Sequence, residues 1–166
     1  FVNGRNGIAP LTVVDTSDLT IKHGGEVKGF SAAGKINPKE LRHMERGVQF
    51  ALVAALEAVA DAGLEFTDEE AERVGAVVGT AAGGVVRLVE QERIRVSRGS
   101  NRVSPMFLPF FLPDTASGAI AIALGIQGPN MAVSSACATG THAIGEAFET
   151  IRRDDADVML AGGAEA

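Results

Sequence analysis

The sequence contains no tryptophan and no tyrosine, and only 5% of its residues are aromatic. It has a single cysteine, Cys137, so no disulfide can form within the chain, and an unpartnered thiol is typical of a reducing compartment. Apolar stretches such as 119–126 are far shorter than the ~20 residues that a membrane-spanning helix needs. The chain does not open on a basic-then-apolar signal segment. These absences predict a cytoplasmic protein that does not enter a membrane.

The charge balance also excludes some partners. With 15 basic and 21 acidic side chains the net charge is −6, which gives no general attraction to nucleic acid or to an anionic membrane.

The 166 residues fit one domain, and 46% hydrophobic residues are enough to fill a core. The 20 glycines and many alanines let helices and strands approach closely, so a tightly layered domain is predicted.

The hydrophobic pattern alternates between strands and helices. Asn37 is a predicted N-cap before Pro38, Gly63 is predicted to end the first long helix, and 67–70 resembles another helix start. Strands are predicted at 26–30, 73–80, 131–135 and 157–162, and helices at 44–62, 85–96, 117–124 and 138–153. The helix at 117–124 is apolar on nearly all sides and is predicted to be buried. This alternation predicts an α/β fold with a largely parallel sheet.

Cys137 lies where a predicted strand runs directly into a helix. A helix N-terminus offers unpaired backbone N–H groups and the positive end of the helix dipole, which favour a negatively charged sulfur and can hold a developing oxyanion. Ala136, Ala138 and Gly140 leave room beside the sulfur for a substrate carbonyl. An arbitrary lone cysteine is more often a small buried hydrophobe. The strand–cysteine–helix turn favours a nucleophile without identifying the reaction.

Segment 134–147, SSACATGTHAIGEA, is very similar to the nucleophile segment of β-ketoacyl-acyl-carrier-protein synthases of the elongating, synthase II-like type. Cys137-Ala138-Thr139 differs from the Cys-Ser-Ser that is usual in modular polyketide ketosynthases. The likeness continues through the family's first long helix, glycine-rich strand and loop, dimer segment and strand after the nucleophile helix. These parts correspond to residues 44–65, 74–84, 102–130 and 155–166.

The resemblance implies a thiolase-like fold of αβαβα layers, of which residues 1–166 form an incomplete N-terminal half. The family's first strand, expected to lie centrally, and the whole second half are expected to be missing. It implies acyl transfer from acyl carrier protein to Cys137, followed by decarboxylative Claisen condensation with malonyl-carrier protein, in fatty-acid or polyketide elongation. A homodimer is implied. No metal or bound cofactor is implied, because the carrier supplies the phosphopantetheine arm.

The resemblance also assigns roles to other residues. Ala136 and Ala82, the latter in a loop that lines the acyl tunnel, are implied to form the acyl pocket. Phe107 and Phe111 are implied to reach toward the acyl pocket of the partner subunit. The family docks its acidic carrier through basic positions, and the matching residues here, named the docking residues below, are Lys39, Arg42 and Arg102.

The family's two catalytic histidines, a lysine and a Gly-Phe-Gly gate belong to its second half, so residues 1–166 alone are expected to be inactive. His142 follows Cys137 by five residues and points about 140° away around a helix, so it is predicted to be a packing or interface residue. His23 and His43 are predicted to be exposed. Two alternatives remain: another Cys-dependent acyltransferase or hydrolase, and a non-catalytic, chain-length-factor-like structural subunit.

Overall fold

The computed structural model describes residues 3–166, which divide into two compact units. The first unit ends at Ser31, and the second comprises residues 32–166. In the first unit, β1 (Ile8–Pro10) pairs in antiparallel orientation with β2 (His23–Gly25). The second unit contains all of the other helices and strands, including the turn that carries the cysteine.

The predicted strand at 26–30 is wrong, since β2 ends one residue before it. The Glu26 carboxylate accepts hydrogen bonds from the backbone N–H groups of Val13 and Thr12, at 2.8 and 2.7 Å. These bonds lower the pKa of Glu26 and hold the segment that follows β1. Gly29 then adopts a φ of +71°, in the left-handed region, which does not continue an extended strand.

The start of the first helix and the end of the first long helix agree with the prediction, while the long helix begins two residues later than predicted. The side chain of Asn37 accepts a hydrogen bond from the backbone N–H of Lys39 at 2.9 Å, and α1 (Pro38–Leu41) starts on its proline. The first long helix, α2 (Arg46–Asp61), is followed by Gly63 at a φ of +64°. Glycine takes this conformation without the steric penalty that other residues meet, which explains why it marks the end of the helix.

The segment 67–70, predicted to start another α-helix, leads only to a single 3₁₀ turn at Ala71–Arg73. Thr67 and Glu70 do make the contacts of a helix start: the Thr67 hydroxyl and N–H donate to the Glu70 carboxylate at 2.9 and 3.0 Å. The strand β3 (Val74–Gly79) begins immediately afterwards, so pairing with the sheet ends the turn.

A parallel sheet organises the second unit. Its other elements are α3 (Val85–Arg98), α4 (Thr115–Leu124), β4 (Asn130–Met131), α5 (Thr139–Arg152) and β5 (Val158–Gly163). The strand order is β4-β3-β5, with both pairs parallel, and β3 is buried along its whole length. The helix α5 packs on β3 and β5, while α4 packs on β3 and against α2. This arrangement confirms the predicted α/β fold with a parallel sheet.

The strand β4 ends earlier than predicted, and a fully buried serine on α4 explains why. Ala76 N–H donates to the carbonyl of Pro129 at 2.9 Å, so a continuous ladder would join Val78 N–H to the carbonyl of Met131. Instead, Ser117 Oγ accepts a hydrogen bond from Val78 N–H at 2.8 Å. The same hydroxyl lies 2.7 Å from the carbonyl oxygen of Met131, within donating distance. Because the hydroxyl stands between the two strands, the chain after Met131 turns away toward the cysteine.

The outer edge of β5 has no strand partner within residues 3–166. Beside this edge, α2 and β5 line a mostly apolar groove of about 390 Å³. The strand β3 pairs directly with both of its neighbours. The additional strand that the resemblance implies, expected to lie centrally, can therefore join this sheet only outside β4 or outside β5.

Two helices expose apolar side chains. The prediction that α4 is buried on nearly all sides is wrong for the described chain, because Ile122 is 82% exposed. On α5, Ile144 and Phe148 are also exposed. None of the helices in residues 3–166 combines the length and the apolar character that crossing a bilayer requires.

Candidate active site

A sharp turn between β4 and α5 presents Cys137. The cysteine lies in a 3₁₀ turn, Ala136–Ala138, and α5 begins at the next residue, which confirms the predicted strand–cysteine–helix order. Ala136 has a φ of +50°, a left-handed conformation that a non-glycine residue adopts only when its surroundings hold it there. The Thr139 hydroxyl supplies that support, since it donates to the carbonyl of Ala136 at 2.8 Å and accepts from Ser135 N–H at 2.9 Å. The turn leaves the Cys137 thiol free and exposed.

Two glycines let the backbone pack closely beneath this turn. A Cβ atom on Gly79, at the end of β3, would lie 1.9 Å from the carbonyl oxygen of Val133. A Cβ atom on Gly163, at the end of β5, would lie 3.1 Å from the backbone nitrogen of Gly140. The carboxyl ends of both strands therefore touch the segment that carries Cys137, and the first of these contacts is possible only for glycine.

An open cleft of about 420 Å³ surrounds the cysteine. Its lining comes from the ends of β3 and β5, the loop after β3 and the cysteine turn: Gly79, Thr80, Ala81, Ala136, Cys137, Thr139, Gly140, Gly163, Ala164 and Glu165. Most of these side chains are small, so a molecule that enters the cleft can bring a carbonyl carbon up to the sulfur. The geometry therefore suits nucleophilic attack by Cys137 on a bound substrate.

His142 contacts a serine rather than the cysteine. Its Nδ1 lies 2.6 Å from Ser135 Oγ, and the two atoms share a hydrogen bond. In residues 3–166 no histidine is hydrogen-bonded to the Cys137 sulfur, and His43 is exposed and stacks on Phe110 with ring centroids 6.0 Å apart. The contact with Ser135 was not predicted, and it brings His142 against the segment that leads into the cysteine turn. Among the described residues, the lining of the cleft thus contains the Cys137 thiol and no histidine.

The predicted acyl-pocket residues occupy three different places. Ala136 lines the cleft together with Cys137, whereas Ala82 lies one residue beyond the lining. Phe107 and Phe111 pack on each other, with ring centroids 5.3 Å apart. The Phe111 carbonyl accepts a hydrogen bond from Gly84 N–H at 3.2 Å, so the two rings lie near the far end of the loop that follows β3. The acyl-pocket roles of Ala136, Ala82, Phe107 and Phe111 stay predictions.

The docking residues are all exposed. Lys39 and Arg42 lie within one turn of each other on and after α1, while Arg102 ends a 3₁₀ turn beyond α3. Among the residues that the structure describes, these three side chains form no ion pair, so their charges are available to a partner. Their carrier-docking role stays a prediction.

Glu165 was not identified from the sequence. One of its carboxylate oxygens accepts hydrogen bonds from the Thr80 hydroxyl at 2.7 Å and from the N–H groups of Ala81 and Ala82 at 2.9 and 3.0 Å. These donors form the loop after β3, which lines the cleft beside Cys137. A carboxylate directly after a glycine-rich strand is the only sequence signal that could have indicated this contact.

A second carboxylate, Glu45, lies below the same loop. Burial raises the pKa of Glu45, even though its carboxylate accepts a hydrogen bond from Arg87 N–H at 3.1 Å. The neighbouring carboxylates Glu90 and Glu165 raise the pKa further.

Within residues 3–166, no group of three or more His, Cys, Asp and Glu side chains is placed so that it could hold a metal ion.

Comparisons with known proteins extend over the whole chain. The family model of the β-ketoacyl synthase N-terminal domain matches residues 1–166. A 3-oxoacyl-(acyl-carrier-protein) synthase 2 from Staphylococcus aureus is 44% identical over 165 residues, which are 99% of this chain and 40% of that protein. The chain thus spans about two-fifths of the length of this curated relative.

Solved structures show the same fold. A β-ketoacyl synthase from Burkholderia phymatum superposes with a TM-score of 0.84 at 28% identity, over 98% of this chain and 40% of that one. The ishigamide ketosynthase/chain length factor superposes with a TM-score of 0.84 at 29% identity, over 98% of this chain and 41% of that one. These structural neighbours bear out the expected thiolase-like fold.

Proposed function

The chain belongs to the β-ketoacyl synthase family, whose N-terminal domain model matches residues 1–166, and we propose that it works as part of that domain in a complete β-ketoacyl-acyl-carrier-protein synthase. The observation that carries the proposal is the position of Cys137, exposed at the entrance of α5 within an open cleft. Its relatives named 3-oxoacyl-acyl-carrier-protein synthase 2 favour a role in fatty-acid elongation.

The first half-reaction is acyl capture. The Cys137 thiolate attacks the carbonyl carbon of a thioester carried by the phosphopantetheine arm of acyl carrier protein. The bond from that carbon to the arm's sulfur breaks, the acyl group stays on Cys137, and the released arm takes up a proton. Small residues such as Ala136 and Gly140 admit the thioester to the sulfur. Covalent capture divides a difficult condensation into two easier steps and gives ping-pong kinetics.

The second half-reaction joins the captured acyl group to malonyl-carrier protein. Loss of CO₂ leaves a carbanion equivalent, which attacks the acyl-Cys137 carbonyl and releases the sulfur as thiolate. Among the described residues no histidine lines the cleft around Cys137, so we propose that the groups that stabilise the carbanion come from the second half of the complete synthase. The proposal needs no metal and no resident cofactor, because the carrier delivers the phosphopantetheine arm.

Three further features belong to the proposal. The exposed apolar side chains of α4 and α5, such as Ile122 and Phe148, suit coverage by the second half of the synthase and by a second subunit of a homodimer. The docking residues attract the acidic carrier protein electrostatically. A cytoplasmic location supplies the reducing conditions that keep Cys137 free.

The test is a condensation assay with the complete synthase, acyl-carrier protein and malonyl-carrier protein. The proposal predicts malonyl-dependent release of CO₂ together with a 3-oxoacyl product, and loss of that product in Cys137→Ala. Release of free acid instead of the longer product would make the protein a thioester hydrolase. If the protein neither captures acyl groups nor condenses them, yet supports a catalytic partner subunit, the chain-length-factor-like role would replace the proposal.

A further inference from the structure

Three hydrogen-bond donors of the loop after β3 converge on a single oxygen. The Thr80 hydroxyl and the backbone N–H groups of Ala81 and Ala82 lie 2.7, 2.9 and 3.0 Å from the same carboxylate oxygen of Glu165. Consecutive N–H groups aimed at one anion form a concave backbone arrangement that the anion stabilises. The loop conformation therefore depends on a residue 83 or more positions away in the sequence.

The same loop forms one wall of the cleft. Thr80 and Ala81 line it together with Cys137, and the Ala81 carbonyl accepts a hydrogen bond from Ser134 Oγ at 3.2 Å, in the segment leading to the cysteine turn. Beyond Ala82 the loop continues to Gly83, whose φ of +65° reverses the chain before α3. A shift of the Glu165 carboxylate would thus move the wall of the cleft opposite the sulfur.

The cysteine turn has separate supports. Thr139 holds Ala136 and Ser135 through its hydroxyl, and α5 packs on β3 and β5. None of these contacts passes through Glu165. Loss of its carboxylate would therefore leave these supports of the cysteine turn in place and disturb first the loop that lines the cleft, which meets the cysteine segment only through the Ser134 side chain among the hydrogen bonds given above.

We propose that Glu165 is a positioning residue for acyl transfer: it fixes the loop of Thr80, Ala81 and Ala82 as the wall against which the acyl thioester is held before Cys137 attacks. The inference rests on the proposed synthase function. Glu165 acts through the loop, which its carboxylate holds by the three hydrogen bonds from Thr80, Ala81 and Ala82.

The test compares Glu165→Ala and Glu165→Gln in the complete synthase with Glu69→Ala, an exposed glutamate in the turn at 67–70. Two rates are measured for each variant: alkylation of Cys137 by iodoacetamide, and transfer of the acyl group from acyl-carrier protein to Cys137. Alkylation needs only an accessible thiol, whereas acyl transfer also needs the wall of the cleft. Thermal melting is recorded to show that each variant is folded.

Glu165→Ala is expected to slow acyl transfer by about tenfold or more, because a misplaced substrate loses its near-attack geometry. Alkylation is expected to stay within about twofold of the wild type, since thiolate access is unchanged. Glu165→Gln retains an acceptor oxygen and is expected to recover most of the rate, while Glu69→Ala matches the wild type. If Glu165→Ala unfolds the protein, Thr80→Val removes one of the three donors to Glu165, together with the acceptor of the Gly83 N–H at 3.3 Å, and is expected to slow acyl transfer alone, to a smaller extent.

Unchanged acyl transfer in Glu165→Ala would overturn the inference. A parallel loss of alkylation and acyl transfer in folded Glu165→Ala or Thr80→Val would also overturn it, because Glu165 would then support the cysteine turn itself. Failure of the proposed function is a distinct result: the wild-type synthase would then be alkylated at Cys137 but would accept no acyl group, and the inference would fall with it.

Discussion

Replacing Gly79 with alanine would place a Cβ atom 1.9 Å from the Val133 carbonyl oxygen and 2.6 Å from the Thr139 methyl group. Real Cβ atoms essentially never come within 3.0 Å of another heavy atom, so the Val133 carbonyl has to move by at least about 1.1 Å. Overpacking of this kind typically costs about 1–3 kcal/mol of stability. Because Val133 and Thr139 flank Cys137 in sequence, the displacement is expected to reach the sulfur, and an error of 1 Å in the position of a reacting group costs about 10²-fold in rate.

The assay is the rate of acyl transfer to Cys137 in the complete synthase, measured beside thermal melting. Gly145→Ala is the matched control, because Gly145 lies within α5 and a Cβ atom there would meet nothing within 4 Å. Alanine at that helical position is expected to be neutral or to stabilise by about 0.5–1 kcal/mol. If Gly79→Ala transfers acyl groups as fast as Gly145→Ala, the close approach of β3 to the cysteine turn does not set the position of Cys137.

Three further predictions concern the cleft, the surface and the partly buried carboxylate of Glu45. Ala82→Phe should slow transfer of long acyl chains while sparing short ones; equal loss at every chain length would mean misfolding or a wrong placement of Ala82. Charge reversal of the docking residues should raise KM for acyl-carrier protein and weaken its salt dependence, with acyl-pantetheine unaffected; an equal effect on both substrates would refute docking. Since burial raises the pKa of Glu45, its ionised form costs stability once the pH exceeds the ordinary glutamate range, and this cost is absent below it. Glu45→Gln should therefore raise the melting temperature at pH 7 and have no such effect near pH 4; a gain that does not depend on pH would exclude burial of the charge as the cause.

Much of the fold could be predicted because its signals are local. The β-branched run that forms β3, the glycine that ends α2 and the Asn37–Pro38 helix start each express a preference of the residues themselves. The turn at Cys137 was also predictable, since a strand pattern passes into a helix pattern within two residues of it. The family likeness followed from the same segment.

Contacts between distant residues could not be predicted in this way. The strand predicted at 131–135 stops at Met131 because the Ser117 hydroxyl, from another helix, takes the place of a ladder hydrogen bond. The contact from Glu165 to the loop after β3 joins segments more than 80 residues apart and leaves no periodic pattern. His142 reaches Ser135 only because the cysteine turn folds back on α5. Each of these contacts depends on tertiary geometry that local preferences do not specify.

The central claim is that Cys137 accepts the acyl group. The most direct measurement is mass spectrometry of peptides from the complete synthase after incubation with acyl-carrier protein alone, in the wild type and in Cys137→Ala. The account predicts one acyl group per chain, on the peptide that contains Cys137, and none in the variant. An acyl group on a different peptide, or equal labelling of Cys137→Ala, would contradict it.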